Sequence, residues 1–421
     1  VDLGGYSNKH ETSHSPAQSI SGAITSHRHG NRERELPSLC TLNYYYRRRT
    51  YSLHLSTAYQ FSSNSPQFIN RLLNTLIMPK ARILIVGTGG IGTVSAYSLE
   101  RGGAAEVTAV MRSNYEAAVR GGFDIDSVQY GQVKGWRPTA IVNAVPNVAK
   151  ENLAPFDYIV VTTKNIPDAP PTVSDLIAPA VTPGVTSIVL SQNGVNIERP
   201  LISKFPTSPL ISSVVYTGAT ETAPAKVYHD DDECQKIGAF VNPGVPQAVA
   251  DESAKRYVQI YNPNDELEVV YNADVETARW RKIAYNGSMN PIATILGMDT
   301  PRLRMTVHVI EDLILPIIRE VREIAAAKGV GLPEETELAH AVLHQDPNDT
   351  AFKPSMCQDY EKGNLMEIEN ILGEPLREAE VLGVSAPTLK IVYGIMKGLQ
   401  VRVKEKRGLW EARFQEGNPY I

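Results

Sequence analysis

Lys282, Asn286 and Asn290 stand four residues apart in a stretch whose apolar pattern is helical from Glu276 to Tyr285. At 3.6 residues per turn the three side chains share one helix face. An ammonium there can stabilise negative charge growing on an oxygen and return a proton to it. The two neutral amides can bond a hydroxyl without changing the charge of the site. Standing alone, Lys282 reads as a solvated helix residue, and the asparagines on its face are what favour a site. A second chemical element precedes it: Gly87, Gly89 and Gly92 form G-x-G-x-x-G, with Thr88, Gly90 and Ile91 between them. Gly87 permits a tight turn, Gly89 lets the backbone approach a pyrophosphate, and Gly92 allows close packing of helix on strand.

The apolar strand from Val107 to Arg112 ends 20 residues past Gly92 (112 − 92), where the ribose contact of a dinucleotide fold is expected. An acid there would accept from a 2′-hydroxyl. This chain has Arg112, Ser113 and Asn114. A guanidinium suits a 2′-phosphate, so NADP is expected over NAD, with a solvated strand end as the plain alternative for Arg112.

The elements that position these groups follow from patterning. Ile83 to Val86 is a short apolar run, the pattern of a strand buried on both faces, and Thr93 to Glu100 reads as the helix after it. That helix's N-terminal amides would hold phosphates. Asp157 to Thr163 and Thr186 to Leu190 are further buried strands, closed by Lys164-Asn165 and by Gln192-Asn193-Gly194. Ligands of open parallel sheets sit beyond the carboxyl ends of strands, which is where Lys164 and Asn193 fall. Residues 205 to 270 read as short strands and turns, with His229 to Glu233 a solvated turn.

From Val275 the texture becomes helical. Pro291 is expected to bend or end the Lys282 helix, and Met305 to Lys328 reads as one long helix kinked at Pro316. Ser355 followed by Gln358 has the spacing of a capping box. Glu367 and Glu369 flank an apolar face, and either is a surface carboxylate by default. The fold class expected is α/β: an N-terminal Rossmann-type doubly wound domain (78–272) followed by an all-helical C-terminal domain (273–421), with the active site between them.

The 42% hydrophobic and 21% charged content suits a globular protein, and a net charge of −5 gives no reason to expect nucleic acid or a membrane surface as partner. No apolar run approaches the ~20 residues that span a bilayer. Three separated cysteines build neither a disulfide framework nor a metal cluster, and no metal is expected; Cys357 reads as a small buried residue. Residues 1–77 are read as a disordered extension, with no acidic residue from Leu36 to Ile77 and an Arg47-Arg48-Arg49 run. That composition also fits a mitochondrial transit peptide, while Met78 stands immediately before the first strand as a natural start; the cytoplasm is the expected compartment.

Taken in order, Gly87-x-Gly89-x-x-Gly92, Arg112, Lys164, Gln192-Asn193-Gly194, Lys282-x-x-x-Asn286-x-x-x-Asn290-Pro291, Ser355-Met-x-Gln-Asp359 and Glu367 resemble the ketopantoate reductases (2-dehydropantoate 2-reductases) over about 78–397. The resemblance implies NADPH-dependent reduction of a 2-keto acid, ketopantoate first, in pantothenate biosynthesis. It implies Gly87 to Gly92 at the pyrophosphate, Arg112 at the 2′-phosphate, and Lys164 and Asn193 near the nicotinamide ribose and substrate. Lys282 matches the family's proton donor; Asn286, Asn290 and Ser355 match its substrate-binding groups; Glu367, counted with Lys282 as catalytic, matches its glutamate that bonds the cofactor and helps organise the cleft; and Ala219 matches a cofactor contact. The chain departs from the family at the acidic His229–Glu233 insertion and at Asp299-Thr300. A small-molecule 2-keto acid and, for assembly, a homodimer are the partners expected. The alternatives are another 2-keto or sugar-acid substrate on the same fold, and a non-catalytic NADP-binding regulator.

Overall fold

In this computed structural model the chain is described at residues 79–414, 416 and 417. The expectations placed on 1–77 lie outside the described residues. Twelve strands are present among them: β1 (Ala81–Val86), β2 (Ala105–Val110), β3 (Phe123–Ser127), β4 (Gly131–Trp136), β5 (Ala140–Val142), β6 (Tyr158–Val161), β7 (Ser187–Leu190), β8 (Leu210–Val215), β9 (Ala219–Ala223), β10 (Lys226–His229), β11 (Cys234–Ala239) and β12 (Glu268–Tyr271). Eight form one sheet in the order β12-β11-β8-β7-β6-β1-β2-β5, and β4-β3-β10-β9 form a second. From β5 to β8 every pairing in the large sheet is parallel; β11 turns antiparallel to β8. After β1 the chain builds outward through β2 and β5, then returns to build β6, β7 and β8 on the other side. The order therefore reverses beside β1 and β6, the place where such sheets open a crevice.

Six helices matter for the site: α1 (Gly90–Arg101), α2 (Gln247–Tyr261), α3 (Val275–Leu296), α4 (Leu315–Ala327), α5 (Ser355–Glu361) and α6 (Pro387–Lys406). The α/β sheet region followed by a helical region is the expected fold class. Helix α3 runs through the middle of the helical half. Trp280, Ile283, Ala284, Met289, Ile292 and Ala293 are buried there in one cluster with Val321 and Ile324 of α4, Met356 and Cys357 of α5, and Val392 and Met396 of α6. Because nearly every side of α3 is covered, a polar residue on it must either be satisfied internally or face a crevice.

Several local expectations are corrected. Helix α3 continues through Pro291 to Leu296, so that proline does not end the helix. The helix expected over Met305 to Lys328 runs unbroken from Val307 to Ala327, with a π-helical turn at Ile310–Ile314 just before α4. Pro316 directly follows that π-turn inside the continuous helix, where a proline's missing amide interrupts the i→i−4 ladder. The region 205–270 contains a fifteen-residue helix, α2, whose buried Ala250, Ala254, Tyr257 and Tyr261 recur at helical spacing and face the sheet. Ser355 is the first residue of α5 rather than its cap: Pro354 holds the cap position, and the Gln358 amide turns back to the Lys353 carbonyl at 2.9 Å.

The segment from His229 to Glu233 is not a solvated turn. His229 is wholly buried, its Nδ1 2.7 Å from Ser127 Oγ. Glu233 is also buried and accepts from Ser98 Oγ, Tyr130 OH and Tyr261 OH, and more distantly from Gln235 Nε2. Those donors come from α1, the β3–β4 turn, α2 and β11. Glu233 therefore ties the second sheet to the first, and burial holds its carboxyl above the usual range.

Candidate active site

The glycine turn is built as its spacing requires. Gly87 has φ +104°, and a Cβ there would meet the Thr163 amide nitrogen at 2.7 Å. A Cβ on Gly92 would lie 2.0 Å from the Gly87 carbonyl oxygen, so α1 packs against the turn as only glycine allows. Gly90 is pressed in the same way by strand β9: a Cβ would lie 2.1 Å from the Ala219 oxygen. Gly89 differs, because its Cβ position opens onto free space. The turn thus presents a bare backbone face at the N-terminus of α1, a cradle that fits a pyrophosphate. Thr88 is buried and bonds back to the Val110 carbonyl at 3.2 Å, while Ile91 is half-buried in the first turn of α1. Arg112 is exposed just beyond β2 and makes no ion pair among the described residues.

From Gly87 a chain of contacts leads to Lys282. Gln192 Nε2 donates to the Thr163 carbonyl at 2.7 Å, joining the ends of β6 and β7. The buried Arg279 on α3 donates to the carbonyls of Leu190, Gln192 and Gly194 at 2.9–3.1 Å and to Ser212 Oγ at 2.7 Å. It anchors the loop after β7 to the helical half, and burial lowers its pKa to about 10. One turn further, Lys282 shares a narrow crevice with Asn193, Gly194, Arg279, Ile283 and Asn286. Its ammonium donates to the Val215 carbonyl and lies 5.4 Å from the centre of the Tyr216 ring. Burial, and then the charge of Arg279, pushes Lys282 down to about 8, against a smaller pull upward from Glu367. A lysine so poised can exchange its proton near neutral pH.

The other wall carries Glu367. Its two oxygens accept from the Asn165 amide at 3.0 Å and from Asn193 Nδ2 at 3.1 Å. Lys164 Nζ lies 3.7 Å from it and 2.7 Å from Asp359 of α5. Burial alone would lower the Lys164 pKa, but the two carboxylates, Glu367 foremost, hold it above the ordinary value. Glu369, the alternative by sequence, turns away to Arg377, Tyr393 and Lys397. Gln400 of α6 fixes the backbone before Glu367 by bonding both the amide and carbonyl of Met366, at 3.1 and 3.0 Å.

The structure gathers Asn193, Lys282, Asn286, Lys164 and Glu367. Asn290 lies one turn deeper, buried, reaching Asn286 Oδ1 at 3.4 Å, with its own side-chain oxygen unpartnered. Ser355 is exposed on α5, one turn before Asp359 and on the same face. Ala219 and Arg112 lie on the glycine-turn side. Arg279 and Asp359 belong to the site but carried no role in the sequence reading. Arg279 sits three residues before Lys282, on the same face, inside an Arg-Trp-Arg-Lys run that reads as solvated. A separate cavity of about 500 Å³, lined by Asn165, Asn196, Arg199, Asn370 and Glu378 among others, touches none of the predicted site residues.

Comparison with known proteins bears on the whole arrangement. The signature "Ketopantoate reductase PanE/ApbA" matches residues 83–242, and "Ketopantoate reductase PanE/ApbA C terminal" matches 274–400. The crystal structure of 2-dehydropantoate 2-reductase from Methylococcus capsulatus is 31% identical with a TM-score of 0.64, covering 76% of this chain and 97% of that one. The chain belongs to the ketopantoate reductase family. It shares with that family an oxidoreductase architecture. An uncharacterised protein of Saccharomyces cerevisiae is 35% identical over 78% of this chain and 96% of its own length. A ternary structure of D-mandelate dehydrogenase with NADH and anilino(oxo)acetate is 20% identical with a TM-score of 0.65, covering 77% of this chain and 99% of that one; it shares the fold.

Proposed function

We propose that this protein reduces a 2-keto acid with NADPH, with ketopantoate the first substrate to test. The observation that carries the reading is Lys282: an ammonium near pKa 8, on one helix face with Asn286, in a crevice walled by the carboxyl edge of the sheet. The Methylococcus relative supports ketopantoate as substrate. Bound nicotinamide supplies the hydride that reduces the keto carbon. The amides at Gly89 to Gly92 hold the pyrophosphate and Arg112 the 2′-phosphate. Lys282 stabilises charge on the keto oxygen and gives it a proton, a contribution of ~10²–10⁴-fold. Asn286 bonds the substrate's hydroxyl, Asn290 fixes Asn286 from below, and Ser355 meets the carboxylate end. Glu367 holds Asn193 and Lys164 in place beside the ribose. On this reading the protein acts in the cytoplasm, in pantothenate biosynthesis.

A second reading, reduction of a different 2-keto acid, is favoured by the likeness in fold to D-mandelate dehydrogenase. NADPH oxidation measured with ketopantoate and with aliphatic and aryl 2-keto acids, and NADP reduction measured with sugar acids, decide between them. Turnover that is highest with ketopantoate supports the first reading, and a strong preference for an aryl 2-keto acid supports the second. Tight NADPH binding without turnover of any of them contradicts both.

A further inference from the structure

Strand β9 runs between the two points that a dinucleotide must touch. At its start, the Ala219 carbonyl presses on Gly90 in the glycine turn. Two residues on, Glu221 meets the loop that follows β2: Asn114 Nδ2 donates to Glu221 Oε1 at 2.6 Å, and the Ala225 amide donates to the same oxygen at 3.1 Å. Asn114 is two residues past Arg112, the position expected for the ribose contact, in the turn that leads into the helix Tyr115–Gly121. The second carboxylate oxygen, Oε2, accepts no hydrogen bond among the described residues, and Glu221 is only half-buried. The loop after β2, which has Arg112, Ser113 and Asn114 and no acid among them, is therefore supplied with a carboxylate from the second sheet. No ion pair joins it to the exposed Arg112.

We propose that Glu221 is a nucleotide-specificity residue. Its free oxygen accepts from the 2′-hydroxyl of the adenosine ribose and opposes a 2′-phosphate, so it acts against Arg112 and allows the chain to bind NADH as well as NADPH. Asn114 holds the carboxylate in place for this role. The proposal rests on the reading that the glycine turn holds a dinucleotide.

Calorimetric titration of the full chain with NADH and with NADPH tests it without any need for turnover. Glu221→Gln keeps an oxygen for Asn114 and Ala225 but removes the charge. The expected result is a rise in Kd(NADH)/Kd(NADPH) of about tenfold or more, the scale of one charge-assisted hydrogen bond. A ratio unchanged within about twofold overturns the proposal while leaving dinucleotide binding intact. Binding of neither nucleotide by the unaltered protein overturns the dinucleotide reading itself, and this proposal with it. If Glu221→Gln does not fold, Asn114→Ala removes the clamp and leaves the charge. Its ratio is expected to move in the same direction, and an unmoved ratio there overturns the proposal equally.

Discussion

Raising the pH from 7 to 9 perturbs Lys282 most directly. Burial and Arg279 set its ammonium at about 8, below an ordinary lysine value of ~10.4. In the reducing direction the protonated lysine gives the proton, so kcat/KM is high below pH 8 and falls as the pH rises through it. A single titration at that value takes the protonated fraction from about 0.9 at pH 7 to about 0.1 at pH 9, a loss of about tenfold. Oxidation of the hydroxy acid needs the neutral lysine, so its profile rises over the same window. The assay is the initial rate of NADPH oxidation at subsaturating keto acid and constant ionic strength, because kcat/KM reports the free enzyme. Lys282→Ala is expected to lose ~10²–10⁴ in kcat. Lys282→Arg, charged throughout, is expected to be slow and flat across the window. A flat profile in the unaltered protein, or an alkaline fall that survives in Lys282→Arg, refutes the assignment.

The same ammonium destabilises the fold. Its folded pKa lies below the unfolded one, so the cost is fully present below pH 8 and disappears as the pH rises towards 10. The difference corresponds to at most about 3 kcal/mol, so Lys282→Met should raise the unfolding midpoint at pH 7 in chemical denaturation while abolishing turnover. Gly92→Ala, whose Cβ meets the Gly87 oxygen, should lower thermal stability strongly, whereas Gly89→Ala, facing open space, should keep stability and weaken NADPH binding in titration. Arg279→Met leaves the Leu190, Gln192 and Gly194 carbonyls without their donor, and should cost about 3–5 kcal/mol by urea unfolding. Asp359→Asn removes a partner of the half-exposed Lys164, and its effect on stability should stay below about 1 kcal/mol.

What was legible in the sequence is what local pattern determines. The glycine spacing, the buried runs of β1, β6 and β7, and the common face of Lys282, Asn286 and Asn290 all arise within one or two turns or strands. The Gln247–Tyr261 helix is missed by the sequence reading, although Ala250, Ala254, Tyr257 and Tyr261 recur at helical spacing, because the stretch reads as one with the short strands around it. What local pattern could not show is burial created by distant partners. Asp230 to Glu233 reads as a charged turn, and only the meeting of Ser98, Tyr130 and Tyr261 makes Glu233 a buried acceptor. Arg279 and Arg281 are alike in sequence, yet nothing local marks Arg279 as the buried one that donates to the loop after β7. The choice of Glu367 over Glu369 came from family resemblance, since the carboxylates are chemically equivalent until Asn165 and Asn193 are brought to one of them.

A crystal structure with NADP and pantoate bound examines the central claim most directly. The account predicts the pyrophosphate against the Gly89 to Gly92 amides, and Lys282 Nζ turned from the Val215 carbonyl to within about 3 Å of the C2 oxygen. Lys282 still held by Val215, with the hydroxy acid bound away from it, would contradict the account.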